Sequence, residues 1–205
     1  MRILCIGDSN TWGYDPENQT RYKWRWTKIL DDLIVDEVIE EGLCGRTCIA
    51  VDQMNFEKCG FYSLKEILKH YPAIDCVIVM LGTNDFKTSF HFRAENVSEG
   101  YRQYIQYIKA HYHCHILMIS PITFGQGIIE RNDGLCAEFN AMSYNESLKL
   151  APLIYHVCME ENVCFLDASK VAVASLYDDI HMNQQGHYLL AKTIAVQLAK
   201  MKEHQ

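Results

Sequence analysis

Ile3-Leu4-Cys5-Ile6, Val77-Ile78-Val79-Met80-Leu81 and the segment from Ile116 to Ile119 are apolar runs too short to be helices, and turn-forming or polar residues follow each. Runs of this kind, rich in β-branched side chains, predict buried strands. Strands are expected near 2–6, 35–39, 74–81, 115–120 and 163–166. Between them the apolar period changes. Val97, Tyr101, Tyr104, Ile105 and Ile108 keep helical spacing, as do Leu190, Ile194 and Leu198. Helices are expected near 21–33, 61–70, 95–110, 137–160 and 184–202, with Asn183 as the N-cap of the last. Strands alternating with helices imply a parallel sheet covered on both faces. No repeat, low-complexity tract or linker interrupts the pattern, so residues 1–205 read as a single domain.

Composition narrows the class. A hydrophobic content of 49% and a charged content of 22% are ordinary for a globular protein. The net charge of −7 and the lack of a dense Lys/Arg stripe argue against nucleic acid. The first strand is expected to begin at Arg2, so no signal peptide is expected, and no apolar run reaches membrane-spanning length. The cysteines number nine, an odd count, and are scattered singly from Cys5 to Cys164. They read as reduced thiols, and a cytoplasmic location is expected.

The candidate chemistry lies where apolar runs end. Gly7-Asp8-Ser9-Asn10 follows the first strand, placing a serine on a tight turn at the carboxyl edge of the sheet. A serine hydroxyl is a weak nucleophile unless a base takes its proton, and that base needs an acceptor to fix its tautomer. Asp178-Asp179-Ile180-His181 supplies both, with Asp178 and His181 three positions apart. Asp179 is expected to face solvent or cap a backbone group, since neighbouring side chains diverge. Gly82-Thr83-Asn84-Asp85, after another strand, offers the Asn84 amide as an oxyanion donor. Gly45, in the segment Glu41 to Thr47, lets its backbone N–H approach a substrate that a side chain would block. Asp8 and Asp85 are expected to hold turns together.

Ser9, Gly45, Asn84 and His181 stand in the contexts of the four blocks that name the SGNH hydrolases, the GDSL-type esterases and lipases. The chain most resembles the bacterial arylesterase and perhydrolase branch. Arg2 to Asp8, Thr11-Trp12-Gly13, Arg25-Trp26-Thr27, Val38 to Leu43, Arg46-Thr47 and Met80 to Asp85 carry that narrower likeness. One departure is Asn10, where the common motif has Leu; it bears on the shape of the acyl pocket. The resemblance implies a three-layer α/β/α fold around a five-stranded parallel flavodoxin-like sheet of order 2-1-3-4-5. It implies a catalytic triad of Ser9, Asp178 and His181, with an oxyanion hole from Ser9, Gly45 and Asn84. The expected activity is hydrolysis of short acetyl or aryl esters through an acyl-enzyme, with acyltransferase or perhydrolase side activity. It further suggests a homo-oligomer.

Trp12, Phe86 and Ile180 are expected to bind substrate, Trp12 above all because it follows the nucleophile; Tyr14 and Phe124 are further candidates for the lining. Connections near 50–60 and 121–135 are long enough to shape a pocket. The expected partner is a small-molecule ester, with no membrane, no cofactor and no metal. His111-Tyr112-His113-Cys114-His115 and the pair Cys44 and Cys48 lack paired zinc-ligand spacing, and alternate residues of an extended segment diverge. Three other functions stay open on the residues alone. One is a carbohydrate acetylesterase, another a non-catalytic flavodoxin-like module holding an anion at the Ser9 turn. The third is a metal-dependent hydrolase using Asp8, Asp85, Asp178 and His181.

Overall fold

The computed structural model describes residues 1–130 and 138–203. The chain runs β1 (Arg2–Gly7), α1 (Ser9–Trp12), a small hairpin of β2 (Tyr14–Asp15) and β3 (Thr20–Arg21), then α2 (Trp26–Leu33). There follow β4 (Glu37–Gly42), α3 (Gly60–His70), β5 (Cys76–Met80), α4 (Ala94–His111) and β6 (His115–Ser120). The last elements are α5 (Ala141–Glu160), β7 (Cys164–Asp167) and α6 (Gln184–Glu203). The main sheet is parallel, in the order β4-β1-β5-β6-β7. Counting only its own strands, this is the expected order 2-1-3-4-5.

The continuous apolar runs are explained by burial on both faces of the sheet. Leu4, Ile6, Val77 and Val79 point into one layer with Leu64, Tyr101 and Ile154 from α3, α4 and α5. Ile3, Cys5, Ile78 and Met80 point the other way, against Leu30 of α2 and Leu190 and Ile194 of α6. Gly7 pairs with Gly42 on one side and Met80 on the other, so three strands end at one edge. That edge is where Ser9, Gly45 and Asn84 emerge. The buried Tyr101 hydroxyl locks it by accepting the Leu81 N–H (3.0 Å) and lying 2.8 Å from the Ile119 carbonyl.

Three boundaries differ from the sequence expectation, one being that of α5, which begins at Ala141 after its Asn140 cap rather than near 137. The segment expected to be helical from residue 21 first pairs Arg21 with Tyr14 in the hairpin, and α2 begins only at Trp26. Its polar side chains reach across the fold: the Arg21 and Arg25 guanidinium groups and the Thr27 hydroxyl all donate to Glu40 of β4. The strand expected at 35–39 runs instead from Glu37 to Gly42, and Val35 is fully exposed. β4 is an edge strand paired only with β1, so glutamates are accommodated in it where an interior strand would exclude them. At the far end, Asn183 accepts the Gly186 N–H at 2.8 Å, the expected N-terminal cap of α6. No helix among the described residues is long and apolar enough to cross a membrane.

Between α2 and α6 lies a fully buried imidazole, His187, whose Nδ1 accepts the Trp26 N–H at 3.3 Å. Burial, with the nearby His181 and Arg25, pushes its pKa from 6.5 down to about 3. The unfolded chain therefore binds more protons than the folded one between those values. The stabilisation is complete above pH 6.5 and is lost as pH falls. Each unit of acidification costs about 1.4 kcal/mol from this group. His187→Gln is expected to be less stable at pH 7 yet to lose less on moving to pH 5. Urea unfolding at both pH values checks this; parallel pH curves for the two proteins would refute it.

Candidate active site

The turn after β1 is built so that Ser9 opens the first helical turn. Asp8 caps it: its side chain accepts the Asn10 N–H at 2.9 Å, and its carbonyl accepts the Trp12 N–H, also at 2.9 Å. Burial pushes the Asp8 carboxyl up to about 6. Gly7 is required by close approach, since a Cβ there would lie 1.9 Å from Thr11 Oγ1.

The second part arrives from 172 residues away in sequence. Asp178 Oδ1 accepts the N–H groups of Ile180 and His181, each at 3.0 Å, which folds the loop back on itself. Asp178 Oδ2 lies 2.5 Å from His181 Nδ1, and His181 Nε2 lies 2.8 Å from Ser9 Oγ. The acceptor on one side sets the tautomer: Nδ1–H donates to the carboxylate, leaving Nε2 free to accept from the serine. Burial would raise the Asp178 carboxyl, but the His181 ring and the two N–H groups outweigh it and hold it below the usual range. The Tyr14 ring packs on the imidazole with centroids 4.6 Å apart.

The third part comes from the ends of β4 and β5. Gly45 has φ +79°, a left-handed conformation that favours glycine. Asn84 is buried, and its Nδ2 donates to the Arg46 carbonyl at 3.1 Å. The Arg46 guanidinium in turn donates to the carbonyls of Gly7 (3.1 Å) and Glu41, bracing the ends of β1 and β4. Asp85 receives the N–H groups of Cys48, Ile49 and Ala50 at 2.6, 2.9 and 2.9 Å, though burial lifts its carboxyl to about 6. The carboxylates beside the site thus shape the backbone, as the sequence suggested.

A family model of GDSL-like lipases and acylhydrolases matches residues 5–189. The chain belongs to that family. Two solved structures extend the likeness over almost the whole chain. A carbohydrate acetylesterase family member from Sinorhizobium meliloti is 28% identical, with a TM-score of 0.89, covering 98% of each chain. The aryl esterase of M. smegmatis is also 28% identical, with a TM-score of 0.87, covering 97% of this chain and 98% of its own. No curated protein sequence matches the chain. Family and neighbours together make the protein a carboxylic ester hydrolase.

In this GDSL-like hydrolase a cavity of about 210 Å³ opens over Ser9, bordered by Gly45, Asn84, Asp178 and His181. Tyr14, Pro16, Phe139 and Ile180 form apolar walls, and Cys44 also faces in. Lys87 and Glu138 stand at the same cavity, ion-paired at 2.7 Å. Of the three side chains expected to bind substrate, only Ile180 is placed here. Trp12 does not border the cavity; its ring lies under the guanidinium of Arg21 in the hairpin, 5.2 Å away. Phe86 is buried in the core on the α4 side of the sheet, and Phe124 packs behind Phe139 with centroids 5.0 Å apart.

Of the two placements expected for Asp179, solvent and a backbone contact, the structure excludes solvent. The residue is buried at φ +61°, with its carboxylate against Gly125 and Gly127, and its carbonyl accepts the Gly125 N–H at 2.8 Å. The connection at 121–135 is thereby held to the His181 loop, although its residues 131–135 lie outside the described ones. The connection at 50–60 contains a short 3₁₀ turn, Phe56–Lys58, and does not border the cavity. Lys87 carried one overlooked signal, since it stands three residues after Asn84 at the end of the same 3₁₀ turn. A larger hollow of about 830 Å³ lies between α2 and α6, among Trp24, Leu33 and Tyr188, and holds none of these groups. Among the described residues, no group of three or more His, Cys, Asp or Glu side chains is arranged to hold a metal.

Proposed function

We propose that the protein is a serine esterase acting on short-chain acyl esters through an acyl-enzyme on Ser9. The observation that carries this is the unbroken relay from Ser9 Oγ to His181 (2.8 Å) to Asp178 (2.5 Å). A module that only binds an anion has no use for an oriented base, so the relay favours catalysis. In this reading Ser9 Oγ attacks the ester carbonyl while His181 Nε2 takes its proton. Asp178 stabilises the imidazolium, and the alcohol leaves with that proton. The backbone N–H groups of Ser9 and Gly45 and the Asn84 amide hold the oxyanion. Water, or another nucleophile such as an alcohol or hydrogen peroxide, then takes the acyl group, with His181 again as base.

The small cavity supports acetyl and similar acyl groups over long chains. The Lys87–Glu138 pair beside it supports a hydroxyl-bearing alcohol portion as well as an aryl one. Carbohydrate acetylesterase action on the same machinery draws on that pair and on the S. meliloti relative. A fluorophosphonate is expected to label Ser9 and abolish hydrolysis of p-nitrophenyl acetate. Across p-nitrophenyl esters, kcat/KM should fall as the acyl chain lengthens. Label on another serine, or full activity in Ser9→Ala, would overturn the triad; a preference for long chains would overturn the short-acyl reading.

A further inference from the structure

We infer that Asn10 is a positioning residue that keeps His181 in place while Ser9 carries the acyl group. The inference rests on the acyl-enzyme reading above. Asn10 is almost fully buried, and its Oδ1 accepts the Met182 N–H at 2.8 Å. Met182 adjoins His181, so the side chain next to the nucleophile in sequence holds the backbone next to the base. The two segments are 172 residues apart in the chain. A leucine here, the residue of the common motif, has a similar outline and no acceptor.

The loop is held from its other side by different bonds. The His181 carbonyl accepts the Ser175 N–H at 2.7 Å, and Met182 forms a bridge with Ala174. Those contacts fix the loop to its own neighbours but not to α1. Between the nucleophile turn and the base, the free enzyme also has the Ser9–His181 hydrogen bond itself. Acylation removes it, because Ser9 Oγ becomes the ester oxygen and has no proton to donate. The Asn10–Met182 bond involves no reacting atom and survives. It therefore matters most in deacylation. In that step water attacks the acyl carbon, the bond to Ser9 Oγ breaks, and His181 passes the water's proton back to Oγ. Displacing a base by about 1 Å can cost on the order of 100-fold in rate.

The test is burst kinetics with p-nitrophenyl acetate on wild type, Asn10→Leu and Asn10→Asp. Wild-type activity and its loss in Ser9→Ala establish the acyl-enzyme reading independently. Asn10→Leu is expected to lower kcat by about 10- to 100-fold. Its KM should fall too, with a larger burst, since acyl-enzyme accumulates when deacylation alone is slowed. Asn10→Asp keeps an oxygen facing Met182 and is expected to recover most of that loss. Asn10→Ala replaces the leucine variant if that one does not fold. An active wild type with unchanged deacylation in Asn10→Leu would overturn the inference. So would equal losses of acylation and deacylation, or an aspartate variant as impaired as the leucine one.

Discussion

Asp178→Asn is expected to lower kcat by about 10⁴-fold, while Asp179→Asn leaves it within a few-fold. The difference follows from what each carboxylate touches. Asp178 Oδ1 is committed to the N–H groups of Ile180 and His181, and those donors will keep an oxygen at that position in the amide. The new NH₂ then replaces Oδ2 and faces His181 Nδ1, 2.5 Å away in the native protein. A donor there demands an unprotonated Nδ1, which puts the proton on Nε2 and removes the acceptor for Ser9. The amide also cannot stabilise the imidazolium. The fold should tolerate the change, because the loop's backbone bonds are retained. At Asp179 the backbone is left-handed, with φ +61°, a conformation asparagine adopts readily. Its carboxylate lies against Gly125 and Gly127, away from the imidazole relay. Measuring kcat for both variants under one set of conditions decides the assignment, and a large loss at Asp179 with Asp178 spared would reverse it.

Asn84→Ala is expected to reduce kcat by about 10²–10³ with little change in KM, the usual cost of one oxyanion donor. Asn84 Nδ2 carries two N–H groups. One goes to the Arg46 carbonyl at 3.1 Å, which fixes the plane of the amide and leaves the other for the cavity over Ser9. The ground-state carbonyl needs that donor less than the developing oxyanion does, so the loss should fall on kcat. Asn84→Asp separates charge from shape. It keeps the side-chain outline but replaces donors with a carboxylate beside the oxyanion, so it should be more damaging than alanine. Normal kcat with a raised KM in the alanine variant would make Asn84 a binding residue instead.

The sheet could be read from the chain because strands buried on both faces leave an unambiguous signature. β6 falls at the expected residues, and β1, β5 and β7 fall within two residues of them. β4 was shifted because an edge strand tolerates Glu40 and Glu41, which break the apolar run that marks the interior strands. The relay was legible for a different reason: Ser9, Asp178 and His181 sit in short local patterns, and each pattern also dictates its own turn. The walls of the cavity were legible only in part: Tyr14 and Ile180 stand among them as expected, and the other expected side chains do not. Proximity in sequence to Ser9 favours Trp12, but that ring is taken up by Arg21 of the hairpin and does not border the cavity. Phe86 was misread likewise, since a 3₁₀ turn sends Asn84 to the cavity and its neighbour two residues on into the core. Pro16 and Phe139 reach the cavity from separate connections, and no periodicity links them.

The great distance in sequence between Ser9 and His181 also bears on how activity appears in time. Loop closure over so long a span is paid for only when the intervening layers have packed, because neither partner holds the other unaided. A nucleophile and a base divided in this way stay chemically silent in any partly folded chain. The return of ester hydrolysis during refolding would then clock the docking of the C-terminal segment, while the earlier growth of helical signal would clock everything that comes before it.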